Sequence, residues 1–114
     1  MSKGNTFEND FLKLIFLGTA IADIAENDTT GPLTSLVLAL HTADPGEAGT
    51  QTTSEANYGA YVRKTVLRAT AGFKVTGNTA YLRAATDFVA ATSGSSTCTY
   101  FSVGTATSGT GKIL

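Results

Sequence analysis

A single cysteine, a single histidine and few charges mark this chain of 114 residues, and each scarcity removes a class of protein. Cys98 has no second cysteine to pair with, so no internal disulfide staples the fold, which fits synthesis and assembly in a reducing cytoplasm. Between Thr97 and Thr99, in a segment that reads as a strand, Cys98 is expected to behave as a small buried hydrophobe. His41 has no second histidine beside it, so no His pair can hold a metal and any Ser/His/Asp arrangement would have to use it. Ser35 and Asp44 lie near it in sequence, but there is no Gly-x-Ser-x-Gly turn to present a nucleophile. At a strand end, the expected task of His41 is to bond the Asp44-Pro45-Gly46 turn. No apolar run approaches the about 18 residues of a membrane span. The Phe11 to Leu17 stretch follows Glu8 and Asp10 instead of a basic segment and is broken by Lys13, which argues against a signal peptide.

Charged residues make up 15% of the chain against 42% apolar ones, so Thr, Ser, Asn and Gly must clothe much of the surface, as in β-rich proteins. The net charge of −1 conceals an asymmetry: residues 1–55 hold two cations and eight anions, residues 56–114 six cations and one anion. Charge mixing within one fold explains this simply. Complementary patches between copies are the alternative. The length suits one domain, since cores of about 100 residues are the usual independent unit.

Phe7, Phe11, Leu14 and Ile15 recur at helical spacing behind an Asn5 or Thr6 cap with Glu8 in capping-box position, which predicts a helix ending near Gly18. Thr19 can cap a second short helix through Ile21, Ile24 and Ala25, stopped by the breaker cluster from Asn27 to Pro32. The helical N-terminal segment is thus 1–27 and the β-rich body 33–114. Leu36 to Leu40 is apolar on both faces, as in a central strand. The polar loop from Ala43 to Asn57 is near the upper limit of about 12 to 15 residues for an ordinary connection, which makes it a place to look for contacts. Tyr61 to Leu67 is rich in β-formers, with Arg63, Lys64 and Arg68 falling on both faces. Phe73 to Thr76 and Thr79 to Arg83 flank Gly77-Asn78, a two-residue hairpin signal. Thr97 to Val103 supplies a further strand with Thr99, Phe101 and Val103 facing one way. Gly, Ser and Thr then dominate up to Lys112-Ile113-Leu114. The expected fold is mainly β or α+β: two short N-terminal helices followed by an antiparallel β-sandwich or barrel-like sheet.

Nothing converges into a catalytic, cofactor or metal site. Asp44 and Glu47 lack the spacing of a calcium loop, and Gly104, Gly109 and Gly111 lack the Lys-Ser/Thr ending of a phosphate loop. Arg63, Lys64 and Arg68 with Tyr58 and Tyr61 fall short of a nucleic-acid face in a slightly acidic chain.

The segment Leu36 to Gly49, ending His41-Thr-Ala-Asp-Pro-Gly-Glu-Ala-Gly49, is followed by Gln51-Thr-Thr53 and then Tyr58-Gly-Ala-Tyr-Val-Arg63. With the opening Ser2-Lys-Gly-Asn-Thr-Phe-Glu-Asn-Asp10, this order of blocks resembles a family of small virion structural proteins of tailed bacteriophages and prophages. Relatives are often labelled tail fibre proteins. The resemblance covers nearly the whole chain and implies a virion structural subunit, without enzymatic activity or cofactor, assembled in the host cytoplasm. Family members continue past residue 114 with further strands, so the β-rich body is expected to lack those C-terminal strands, and an edge left there would accept a strand from a neighbour.

A fibre shaft needs a repeating sequence and no internal period is visible, so the expectation is a capsid decoration or cement subunit. A tail-associated or tail-fibre subunit is the alternative. The partners expected are further copies and other virion proteins, the major capsid protein ahead of tail proteins, with no direct nucleic-acid or membrane contact. Phe7, Phe11, Asp44, Glu47, Tyr58, Tyr61, Arg63, Ile113 and Leu114 are the candidate interface residues. A rival reading is a module that binds host-surface carbohydrate or protein through Tyr58, Tyr61 and the 43–57 loop.

Overall fold

A computed structural model of the chain describes residues 5–21 and 33–114. In chain order the elements are α1 (Asn5–Leu17), β1 (Ser35–His41), β2 (Lys64–Leu67), β3 (Phe73–Thr76), β4 (Thr79–Leu82) and β5 (Tyr100–Gly104). The strands form two antiparallel sheets, one of order β2-β1-β5 and one of β3-β4, and neither closes into a barrel. The mainly β expectation therefore holds, with one helix among the described residues. The second helix expected from Thr19 falls largely on residues 22–32, outside the described residues; Gly18 to Ile21 hold no helix. By contact the chain divides into two compact units, Met1–Ser35 with Leu67–Ala85 and Leu36–Val66 with Thr86–Leu114.

In the first unit, α1 begins with Glu8 in its first turn, where a carboxylate suits the helix dipole, and has no basic residue in its last turn. Gly18 then takes a φ of +67°, the left-handed conformation that ends helices at little cost to glycine. The missing cation arrives from elsewhere in the chain. Arg68 donates Nε to the Ile15 carbonyl at 2.5 Å, Nη2 to the Leu14 carbonyl and Nη1 to the Leu33 carbonyl at 3.2 Å, so one guanidinium satisfies carbonyls that the helix end leaves without partners. The helix packs on the β3–β4 hairpin, with the rings of Phe16 and Phe73 5.0 Å apart and Phe73 buried. Hairpin register runs from Phe73↔Leu82 to Thr76↔Thr79 around the Gly77-Asn78 turn. Asn9 donates to the Gly77 carbonyl, and Asn78 donates to Glu8 Oε2 at 2.9 Å, which ties the turn to the first half of the helix.

In the second unit β1 is the central strand, as its apolar faces imply, and Leu36 to Ala39 are buried. It pairs with β5 from Val37↔Gly104 to His41↔Tyr100. The strand expected over Thr97 to Val103 starts at Tyr100 instead, so Cys98 lies before it, partly buried, with its thiol directed to the Ser96 carbonyl at 3.8 Å. Phe101 and Val103 do share a face, but that face is the outer one. Phe101 is 67% exposed, while Ser102 and Gly104 point inward. The cause is what fills the interior. Ser102 bonds the His41 ring, and a Cβ added to Gly104 would lie 2.3 Å from Gln51 Cδ, so at these two positions the inner face of β5 has no room for larger side chains.

The chain end folds back along β5. Ile113 bridges Gly104, Thr105 N–H donates to the Lys112 carbonyl at 3.1 Å, and Leu114 N–H donates to the Val103 carbonyl at 2.9 Å. Ile113 and Leu114 are therefore paired within the subunit.

Candidate functional site

Four of the candidate interface residues come together in the second unit. Asp44 and Glu47, from the loop after β1, and Ile113 and Leu114, from the chain end, line a groove of about 470 Å³ with Pro45, Gly46, Tyr100, Phe101, Ser102 and Val103. The loop is shaped locally: Asp44 Oδ1 accepts the Gly46 N–H at 2.9 Å, and Gly46 takes a φ of +69°. Both carboxylates are exposed, and across from them stand Tyr100, Phe101 and Leu114, each about half exposed or more. The arrangement is an apolar floor with an acidic rim at a sheet edge. Such a surface can hold an extended chain.

Tyr58, Tyr61 and Arg63 form a second cluster, and their polar groups are used internally. Arg63 and Glu55 make a two-pronged ion pair, Nε to Oε1 at 2.6 Å and Nη2 to Oε2 at 2.8 Å, with the Arg63 side chain 3% exposed. Arg63 also donates to the carbonyls of Ala106 and Gly109, which fastens the loop after β5. Tyr61 donates its hydroxyl to Glu55 and accepts the Leu40 N–H, both at 3.0 Å. Tyr58 donates to the Val89 carbonyl at 2.9 Å. The Tyr61 ring meets Tyr58 edge-on at 5.3 Å and stacks on Phe88 at 6.1 Å. A depression of about 290 Å³ lies over this cluster, lined among others by Glu55, Arg63 and Thr107.

Electrostatics follow from this wiring. Burial pulls the Glu55 carboxyl upward, but the bonds from Arg63 and Tyr61 and the Arg63 charge outweigh it and leave the group below its ordinary value. Burial pushes Tyr61 up to about 12, with the Glu55 carboxylate adding to the rise. The hydrogen bond to Glu55 raises Arg63 further.

His41 is fully buried and does not bond the Asp44-Pro45-Gly46 turn. Its Nδ1 lies 2.8 Å from the Thr53 carbonyl and its Nε2 2.7 Å from Ser102 Oγ. A carbonyl only accepts, so Nδ1 carries the proton and Nε2 accepts from the serine hydroxyl in the neutral ring. A serine beside a histidine has the outline of a nucleophile and its base. Here, however, the serine is 5% exposed, the histidine 0%, and a backbone carbonyl stands where a triad has a carboxylate.

Sequence reasoning missed Gln51, which is also fully buried: it donates to the Val37 carbonyl at 3.3 Å, accepts the Ala106 N–H at 2.9 Å, and fills the space against Gly104 and Gly111. The paired glycines were its one trace in sequence. Phe7 and Phe11 belong to α1 in the other unit; Phe11 is 44% exposed, and the Phe7 side chain is outside the described residues. Among the described residues no group of three His, Cys, Asp or Glu could hold a metal ion, and no helix is long and apolar enough to cross a membrane.

Comparison with known proteins matches residues 3–114 to the family described as podophage GP4 fiber I protein gp80. No curated protein and no solved structure matches the chain.

Proposed function

Because the chain belongs to the podophage GP4 fiber I protein gp80 family, and so to the structural proteins of phage virions, we propose that it is a non-catalytic module of a virion fibre. The observation that carries this reading is the extent of the match, residues 3–114. The acidic-rimmed groove supports it as a place for another virion protein to dock, and the sealed Ser102–His41 pair gives no reason to invoke catalysis. Its partners on this reading are further copies and tail or fibre proteins.

Capsid decoration is the second reading, with the major capsid protein as partner. It is favoured by the lack of any internal sequence period, since a shaft is built by repetition. Quantitative mass spectrometry of intact virions and of separated heads and tails decides. Recovery with the tail or fibre fraction supports the fibre reading. Recovery with heads in lattice-like copy number replaces it with decoration, and absence from virions overturns both.

A further inference from the structure

Among the described residues two strand edges are open, and the side chains beside them carry opposite charges. On β5, Phe101 lies opposite Leu40, whose N–H goes to the Tyr61 hydroxyl and whose carbonyl takes the Ala56 N–H. Neither group is left for Phe101, so in the alternation of an antiparallel ladder the Phe101 N–H and C=O face the outer edge. Val103 shows the same parity, since its carbonyl accepts from Leu114 on that side. The returning chain end pairs at Val103 and Gly104, while Tyr100 and Phe101 remain 48% and 67% exposed beside the carboxylates of Asp44 and Glu47.

The second open edge belongs to the β3–β4 hairpin. Arg83 N–H donates to the Gly72 carbonyl at 2.9 Å. With the observed register, this places the ladder bonds on the pairs Lys74/Tyr81 and Thr76/Thr79. Ala80 and Leu82 therefore turn their N–H and C=O groups outward from β4. Lys74 lies over the exposed Tyr81 ring, 5.7 Å from its centroid, and Arg83 is exposed. This edge is thus flanked by two cations and an aromatic ring.

We propose that the β5 edge of one copy accepts the β4 edge of a second copy, so that backbone pairing is flanked by Asp44 and Glu47 on one side and Lys74 and Arg83 on the other. Unpaired strand edges are templates for such pairing, and opposite charges steer and orient it. Pairing β5 with β5 would instead bring the four carboxylates of two copies together. The contact joins different surfaces, so each joined pair keeps one free edge of each kind and the association propagates into a ring or a filament. This deepens the structural role proposed above, which virion fractionation tests separately.

The test is sedimentation and light scattering of the full chain from micromolar to millimolar concentration, at low and high salt. Wild type associates, more weakly at high salt. D44K/E47K and K74E/R83E each associate about tenfold or more less tightly alone. Mixing the two restores association, because each reversed surface then meets a complementary one. Ala80→Pro, which deletes an outward N–H and no ladder bond, also weakens association while circular dichroism confirms an intact fold. A wild type that stays monomeric throughout, charge-reversed variants that associate like wild type, or a mixture that stays monomeric overturns the proposal. If such a protein still fractionates with virion fibres, the pairing is wrong and the fibre role stands.

Discussion

Replacing Glu55 with Ala should be among the most damaging single changes in the second unit. The side chain of its partner Arg63 is 3% exposed, and two of its guanidinium contacts go to Glu55 at 2.6 and 2.8 Å. Without Glu55 the charge stays buried, with the Ala106 and Gly109 carbonyls as its remaining partners, and Tyr61 loses the acceptor for its hydroxyl. A surface ion pair is worth at most about 1 kcal/mol, whereas orphaning one member of a buried pair costs about 3–5 kcal/mol. Glu55 itself is 17% exposed, so about 3 kcal/mol, the lower end of that range, is expected. Against a total stability of about 5–15 kcal/mol this is a large share. Urea denaturation of wild type, E55A, R63A and the double variant measures it. The double variant should be less destabilised than the sum of the singles, because the second deletion removes the orphaned charge. A cost for E55A below about 1 kcal/mol, or strict additivity, would show that solvent relieves Arg63 and refute the reasoning.

His41→Ala should cost about 2–4 kcal/mol in denaturant melts, since it opens a cavity and orphans the Thr53 carbonyl and Ser102 hydroxyl, and it should abolish no turnover. Arg68→Ala should lower stability by about 1–3 kcal/mol and speed amide exchange at the C-terminal turn of α1, with Arg68→Lys recovering only part. Gly111→Ala should destabilise because its Cβ would fall 1.9 Å from Gln51 Oε1; a Gln51→Ala background should shrink that penalty, as calorimetry can show. On the acid side, Glu55 is held below its ordinary 4.5, so its contribution is complete above pH 4.5 and is lost as pH falls through the depressed value; E55Q should flatten that limb of a stability profile. On the alkaline side Tyr61 rises from 10.0 to about 12, so stability is complete below pH 10 and drains as pH climbs between these values, a limb that Tyr61→Phe should remove.

Local signals were readable where the cause is local. The Gly77-Asn78 turn, the helix from Asn5 and the two-sided apolar strand at Leu36 to Leu40 all follow from spacing within a few residues. Reading failed where the determining contact is distant. Arg68 looked like one more charge on an irregular strand, because the helix carbonyls it bonds lie more than fifty residues away in sequence. For Tyr58, Tyr61 and Arg63, nothing local announces that Glu55, Val89 and Ala106 take their polar groups. Asp44, Glu47, Ile113 and Leu114 were singled out separately, and only the fold shows that they line one groove.

The charge asymmetry along the chain also dissolves on folding. The cation-rich half contributes Arg68, Lys74 and Arg83 to one unit and Arg63, Lys64 and Lys112 to the other. In the second unit those three cations meet four anions, Asp44, Glu47, Glu55 and Asp87, so its net charge is nearly balanced. The proposed complementarity between copies therefore rests on local rims and not on whole halves of the chain.

The exposed apolar edge and the buried polar side chains of the second unit have one origin. His41 and Gln51 occupy the volume beneath β5 and spend their hydrogen-bonding capacity on Thr53, Ser102, Val37 and Ala106. Buried polar groups are tolerable only when bonded in this way, and bonding them demands a serine and a glycine on the inner face of β5. Strand alternation then sends Phe101 and Val103 to the other side. A β5 with its aromatic turned inward would displace His41 or Gln51 and orphan their partners, at a cost of about 1–3 kcal/mol for each unsatisfied group. The sheet thus gains directional internal bonds and keeps its aromatic surface exposed along β5.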